Sequence, residues 1–186
     1  LDPDALVAEV RRIVGIGGFR AVKLRVGDTP AKDVARVRAV REAFGDGLSI
    51  MVDANTGYGP ADMHELLPGL GDLQVTWFEE PFPPDDVAAF AELRRRSPVP
   101  VAAGENLFGR AQFGPFLAQR ALDVLQPDPS KCGGITELKK IADLADMHHL
   151  RLAPHCSHSA LNYASSLHVL SASPAALNRF RRSDSA

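Results

Sequence analysis

Short runs of β-branched and aliphatic residues alternate with longer stretches whose apolar positions recur every three or four residues. Candidate strands are Phe19 to Val26, Leu48 to Val52, Val75 to Phe78, Val99 to Ala103, Leu122 to Gln126 and Leu150 to Pro154, with a weak seventh near Leu177. Between the first two, Ala31 to Phe44 places Val34, Val37, Val40 and Phe44 on one helical face, opposite Lys32, Arg36 and Glu42, and Pro30 fits the first turn. Further helical stretches run from Pro60 to Leu70, Asp85 to Arg96, Arg110 to Gln119, Ile135 to Met147 and Leu161 to Ala172. Strands that alternate with helices in this way build parallel βα units, hence an α/β fold. A closed barrel of such units needs eight strands and about 250 residues. The chain therefore reads as part of one. An open doubly wound sheet uses the same alternation, and periodicity alone leaves both architectures open.

Composition narrows the class. The chain has 186 residues, 45% hydrophobic and 24% charged, with a formal net charge of -2, enough apolar material for a sizeable core. No basic stripe suggests nucleic acid, and Arg179, Arg181 and Arg182 read as solvated charges in a polar tail. No run is apolar enough to span a membrane and no signal-peptide pattern opens the chain, so a cytoplasmic protein is expected. Cys132 and Cys156 are expected to be reduced thiols. No linker divides the chain: residues 1–186 are expected to form one partial barrel domain, with βα units to about 176 and an uncertain tail from 177 to 186.

Charge falls on the chain in step with the strands. Lys23 and Arg25, Asp53, Glu79 with Glu80, Glu105, Asp128 and His155 each stand at the end of a candidate strand, at intervals of 23 to 30 residues from Lys23 onward. In a barrel the C-terminal strand ends meet at one mouth, so this cadence delivers one cluster. Crowded carboxylates repel unless a cation joins them, and an all-oxygen set suits Mg²⁺ better than zinc. Each acid taken singly could instead be a helix cap or a solvated loop residue. Glu79 and Glu80 point to opposite sides of a strand, and periodicity does not choose between them.

The strings Ala21-Val-Lys-Leu-Arg-Val-Gly27, Met51-Val-Asp-Ala-Asn55, Trp77-Phe-Glu-Glu-Pro81, Gly104-Glu-Asn106, Gln126-Pro-Asp128, Gly133-Gly-Ile-Thr136 and Pro154-His155 resemble, in order and spacing, the mandelate racemase subgroup of the enolase superfamily. The resemblance covers roughly residues 5 to 175. It implies a modified (β/α)7β barrel, here from the second to about the eighth strand, without the N-terminal capping domain and first strand. It implies Asp53, Glu79 and Glu105 as Mg²⁺ ligands, with Glu79 chosen over Glu80 because the family uses the first acid of that string. His155 becomes the general base, paired with Asp128. Lys23 supplies positive charge near an enediolate intermediate, and Asn55 and Lys131 are candidates for substrate binding or outer-shell support. The implied partner is a small carboxylate, an acid sugar, and the full-length enzyme is expected to be a homo-oligomer.

One departure redirects the chemistry. Many members of the subgroup read Lys-x-Lys on the second strand, the second lysine serving as a base on the opposite face of the substrate, whereas this chain reads Lys23-Leu-Arg25. Arginine stays protonated and clamps oxyanions rather than accepting protons. One-sided dehydration of an acid sugar to a 2-keto-3-deoxy acid is therefore favoured over racemisation or epimerisation, which would need an unusual second base such as Tyr58 or His158. An acid on the eighth strand has no clear match in Leu177-Asn-Arg-Phe-Arg-Arg-Ser-Asp184. Two readings compete: a non-catalytic fragment with a vestigial metal site, and a zinc site from His155, Cys156 and His158. The second leaves the acid cadence unexplained.

Overall fold

Capping signals start the chain. Asp2 accepts a hydrogen bond from the Ala5 N–H (2.9 Å), Pro3 takes the first helical position, and α1 (Pro3–Gly17) ends at Gly18 in the left-handed region. The sequence pattern assigned no element to this segment, and Val10 is its one buried residue. A computed structural model describes residues 1–157 and 159–173. They form two compact units, one of Leu1–Pro83 with Arg95–Val101, the other of Pro84–Arg94 with the chain from Ala102 onward.

In the first unit, β1 (Ala21–Arg25) leads through α2 (Pro30–Phe44) to β2 (Ser49–Asp53), and α3 (Met63–Asp72) leads to β3 (Phe78–Glu79). β1 and β2 pair in parallel with Lys23 opposite Met51 and Arg25 opposite Asp53, and β2 pairs in parallel with β3 with Asp53 opposite Glu79. Arg25, Asp53 and Glu79 thus form one row across three strands. Val37, Val40, Ile50, Val52, Leu66, Leu70 and Phe78 are the apolar core beneath that row, each fully buried. The expected α2 face is observed in Val37 and Val40, but Asp33 is buried with them.

α4 (Val87–Arg96) and β4 (Val101–Ala103) carry the chain between the units. In the second, α5 (Gly109–Ala118) precedes β5 (Val124–Leu125), a single turn α6 (Pro129–Cys132) precedes α7 (Gly134–Met147), and β6 (Arg151–Leu152) precedes α8 (Ala160–Ser171). β5 pairs in parallel with β4 and with β6. The strands are shorter than their apolar runs, yet hydrogen bonding continues past them: Ala153 N–H donates to Leu125 O (2.9 Å) and His155 N–H to Pro127 O (3.1 Å). The backbone of His155 is therefore tied to the chain that leads into Asp128. Phe90 and Phe116 meet edge to face at 5.4 Å in a core shared with Phe113, Leu125, Leu138 and Ile141. The expected eighth-strand segment lies outside the described residues.

Gly104 shows why the string after β4 begins with glycine. Its φ is 134°, and a Cβ there would come within 2.8 Å of the Phe113 ring and 3.2 Å of the Gln126 nitrogen. Glu105 is turned out of the strand at that point.

Candidate active site

The row at the ends of β1, β2 and β3 concentrates charge on one face of the first unit. Lys23 Nζ lies 3.2 Å from Asp53 Oδ2 and in closer contact with Glu79 Oε1, and Arg25 reaches Asp53 Oδ2 at 3.0 Å. Both carboxylates are buried. Buried acids are tolerated only when paired and hydrogen-bonded, and here each has fixed partners. Trp77 Nε1 donates to Glu79 Oε2 (2.9 Å), and the Asn55 backbone N–H donates to Asp53 Oδ1 (3.0 Å). Burial pulls the Lys23 ammonium down, but the charges of Glu79 and Asp53 outweigh it and hold its pKa above the ordinary lysine value. Lys23 is a poor proton acceptor in this setting.

The second unit builds a different device. Asp128 caps α6 and is fully buried. Its Oδ1 accepts from the Ser130 N–H (2.7 Å), the Ser130 hydroxyl and Asn162 Nδ2 (2.8 Å), which leaves Oδ2 to face His155 Nδ1 at 2.7 Å. Burial raises the Asp128 pKa, but hydrogen bonds from Ser130, His155 and Asn162 prevail and hold it below the ordinary aspartate value. The stabilisation this gives is complete above the ordinary range and is lost as pH falls through the depressed native value. An ionised carboxylate only accepts, so Nδ1 of His155 carries a proton toward Asp128, and Nε2 is the ring nitrogen turned toward the Gly104-Glu-Asn106 string. Nε2 stands 3.2 Å from Glu105 Oε2.

Asn55 lies at φ 44° with an exposed side chain, and it serves the acid row through its backbone rather than its amide. Lys131 Nζ donates to Asn106 Oδ1 at 2.8 Å, which ties α6 to the Gly104-Glu-Asn106 string. Glu80 is buried at φ 42° beside Glu79. Trp77, Ser130 and Asn162 were not singled out from sequence. Trp77 stood inside a quoted motif, but nothing in the pattern marked Ser130 or Asn162.

Tyr58, weighed as an unusual base, is committed elsewhere. Its hydroxyl donates to the buried Asp33 Oδ2 at 2.6 Å, and Asp33 also accepts from the N–H groups of Gly27 (3.0 Å) and Asp28 (2.8 Å). Burial, and then the Asp33 carboxylate, push its pKa well above the usual tyrosine value. Tyr58→Phe is expected to cost about 1–3 kcal/mol in urea denaturation, because a buried carboxylate loses a donor. Of the zinc alternative, Cys156 Sγ points to Asn162 Oδ1 at 3.5 Å, and His158 lies outside the described residues.

The sequence matches the Enolase C-terminal domain-like family over residues 5–182. The chain belongs to that family. Among its enolase-family relatives, D-galactarolactone cycloisomerase from Agrobacterium fabrum is 38% identical over 155 residues, which cover 83% of this chain and 41% of the relative. A solved member of the enolase superfamily from Polaromonas sp. JS666 superposes with a TM-score of 0.91 at 41% identity, covering 95% of this chain and 47% of that one. L-Talarate dehydratase from the same organism, solved with Mg and L-glucarate, gives a TM-score of 0.80 at 34% identity, covering 89% of this chain and 46% of that one. The chain thus spans less than half the length of these enolase-family relatives. The α/β class expected from the βα cadence is observed, and the partial enolase-type barrel is the one that the resemblance implied. Among the described residues no helix is long and apolar enough to cross a membrane.

Proposed function

We propose that the protein containing this chain is a Mg²⁺-dependent acid-sugar dehydratase, with Asp53, Glu79 and Glu105 as the metal ligands and His155 as the base. The observation that carries the reading is the Asp128–His155 pair, in which Nδ1 is committed to a buried carboxylate while Nε2 faces Glu105, one of the proposed metal ligands, and so is aimed at the place where a metal-bound substrate would sit. An imidazole near neutral pH is suited to abstracting an activated α-proton, and a positioned base contributes about 10²- to 10⁴-fold.

The acids fit a divalent cation by their chemistry. Asp53 and Glu79 already share one positive charge, the Lys23 ammonium, and both offer carboxylate oxygens, the donors magnesium prefers. Magnesium in solved relatives supports the same assignment. When bound, the cation would stabilise the negative charge that develops on the substrate carboxylate, worth several kcal/mol. Lys23 would add a fixed charge beside it, and Arg25, with an exposed side chain anchored on Asp53, would clamp a substrate oxygen. Asn55 and Lys131 remain candidates for holding the substrate's polar groups. His155, once protonated, would return its proton to the departing β-hydroxyl, so proton and hydroxyl leave from the same face. A two-base epimerase is less well supported, because Arg25 cannot accept a proton, Lys23 is held charged and Tyr58 is bound to Asp33.

The test is incubation of the protein with Mg²⁺ and a panel of acid sugars and their lactones. The expected product is a 2-keto-3-deoxy acid, with one solvent deuterium at C3 in D₂O. Isomerisation of a lactone without loss of water would move the reading to the cycloisomerase class, and deuterium exchange with inversion at C2 would move it to an epimerase.

A further inference from the structure

The dyad needs more than its two members. A carboxylate can orient an imidazole only if it cannot turn itself, and Asp128 is attached to the turn that starts α6. We infer that Asn162, on the first turn of α8, is a positioning residue that locks the Asp128 carboxylate and so fixes the His155 tautomer. The inference rests on the reading of His155 as the base.

Asn162 is 5% exposed, and its amide is used at both ends. Nδ2 donates to Asp128 Oδ1 at 2.8 Å and lies 3.3 Å from Ser130 Oγ, while Oδ1 accepts from Cys156 Sγ at 3.5 Å. Its backbone N–H is held by Ser159 Oγ at 3.1 Å, the N-cap of α8. These bonds join three segments: the start of α6, the residue after His155 and the start of α8. Their effect on Asp128 is asymmetric. Oδ1 receives every donor except His155, and Oδ2 is left with the imidazole alone among the bonds described. Rotation of the carboxylate would break the Oδ1 bonds together. The thiol matters too, because a donor at Oδ1 of Asn162 disfavours the flipped amide that would set an oxygen against Asp128. Ser130 alone cannot replace the clamp, since its two donors come from the same short turn as Asp128 and would move with it.

The test compares Asn162→Leu, close in volume but without a donor, with Ser130→Ala, which keeps the Ser130 N–H. Two quantities are read in folded protein, checked by circular dichroism: kcat against KM on the acid sugar that the protein turns over, and the low-field NMR signal of the His155 Nδ1 proton, assigned by its loss in His155→Asn. Asn162→Leu is expected to lower kcat by about 10- to 100-fold with little change in KM, the range for losing an outer-shell partner, and to broaden or abolish the Nδ1 signal. Ser130→Ala should do less on both counts. A sharp, unshifted Nδ1 signal with unchanged kcat in Asn162→Leu would overturn the inference. If Asn162→Leu does not fold, Asn162→Ser, too short to reach Asp128, carries the same two readings. If the wild-type protein turns over no acid sugar, the proposed function fails while the Nδ1 signal still decides the role of Asn162.

Discussion

Asp53→Asn is expected to remove Mg²⁺ binding in isothermal titration, or to weaken it beyond the about 10- to 100-fold typical of outer-shell partners. Three things change at once. The neutral amide presents one acceptor oxygen in place of a carboxylate, it lowers the charge that attracts a divalent ion, and it removes the ionic part of the contact that anchors Arg25. Glu79 would keep its bonds from Lys23 and Trp77, so the fold of the row should survive and the loss should read as lost affinity rather than lost structure. Absence of Mg²⁺ binding in the unaltered protein would sink the metal assignment and favour a chain that retains only the remains of a site.

His155→Asn separates the base from the metal. Exchange of the substrate α-proton with D₂O should fall by at least about 10²- to 10⁴-fold, the contribution of a positioned base, while Mg²⁺ affinity changes little. Exchange at the wild-type rate would remove His155 from its role. The paired outcome is diagnostic: one variant loses the ion and the other keeps it, and both stop the chemistry.

The cadence of charged residues was the most legible feature of the chain. It predicted Lys23, Arg25, Asp53, Glu79, Glu105, Asp128 and His155 at strand ends because a βα unit has a nearly fixed length; Arg25, Asp53 and Glu79 do end their strands, Glu105, Asp128 and His155 lie two or three residues beyond theirs, and Lys23 lies in the middle of β1. What spacing could not decide was orientation. Glu79 and Glu80 are adjacent acids, and their separation rests on Lys23 and Trp77 meeting the first of them. Helix α1 escaped notice because one of its residues is buried, although Asp2, Pro3 and Gly18 mark both ends. Asp33 carries no mark in the periodicity of α2, yet it is buried as an acceptor for two loop N–H groups and Tyr58. Asn162 was illegible for a related reason. An asparagine in the first turn of a helix is ordinary, and its importance comes from a partner 34 residues away.

Asp128 ends one strand segment, starts a helix and faces an imidazole with the same carboxylate. Helix capping accepts Asp, Asn, Ser or Thr almost equally, whereas holding a protonated imidazole requires charge. A related chain without the proposed reaction would still need a short polar side chain to cap the helix at this position, and only the charge would be free to drift. Divergent sequences can thus be sorted in one direction: an amide or hydroxyl here keeps the cap without the charge that the proposed chemistry needs, whereas an acid is compatible with both.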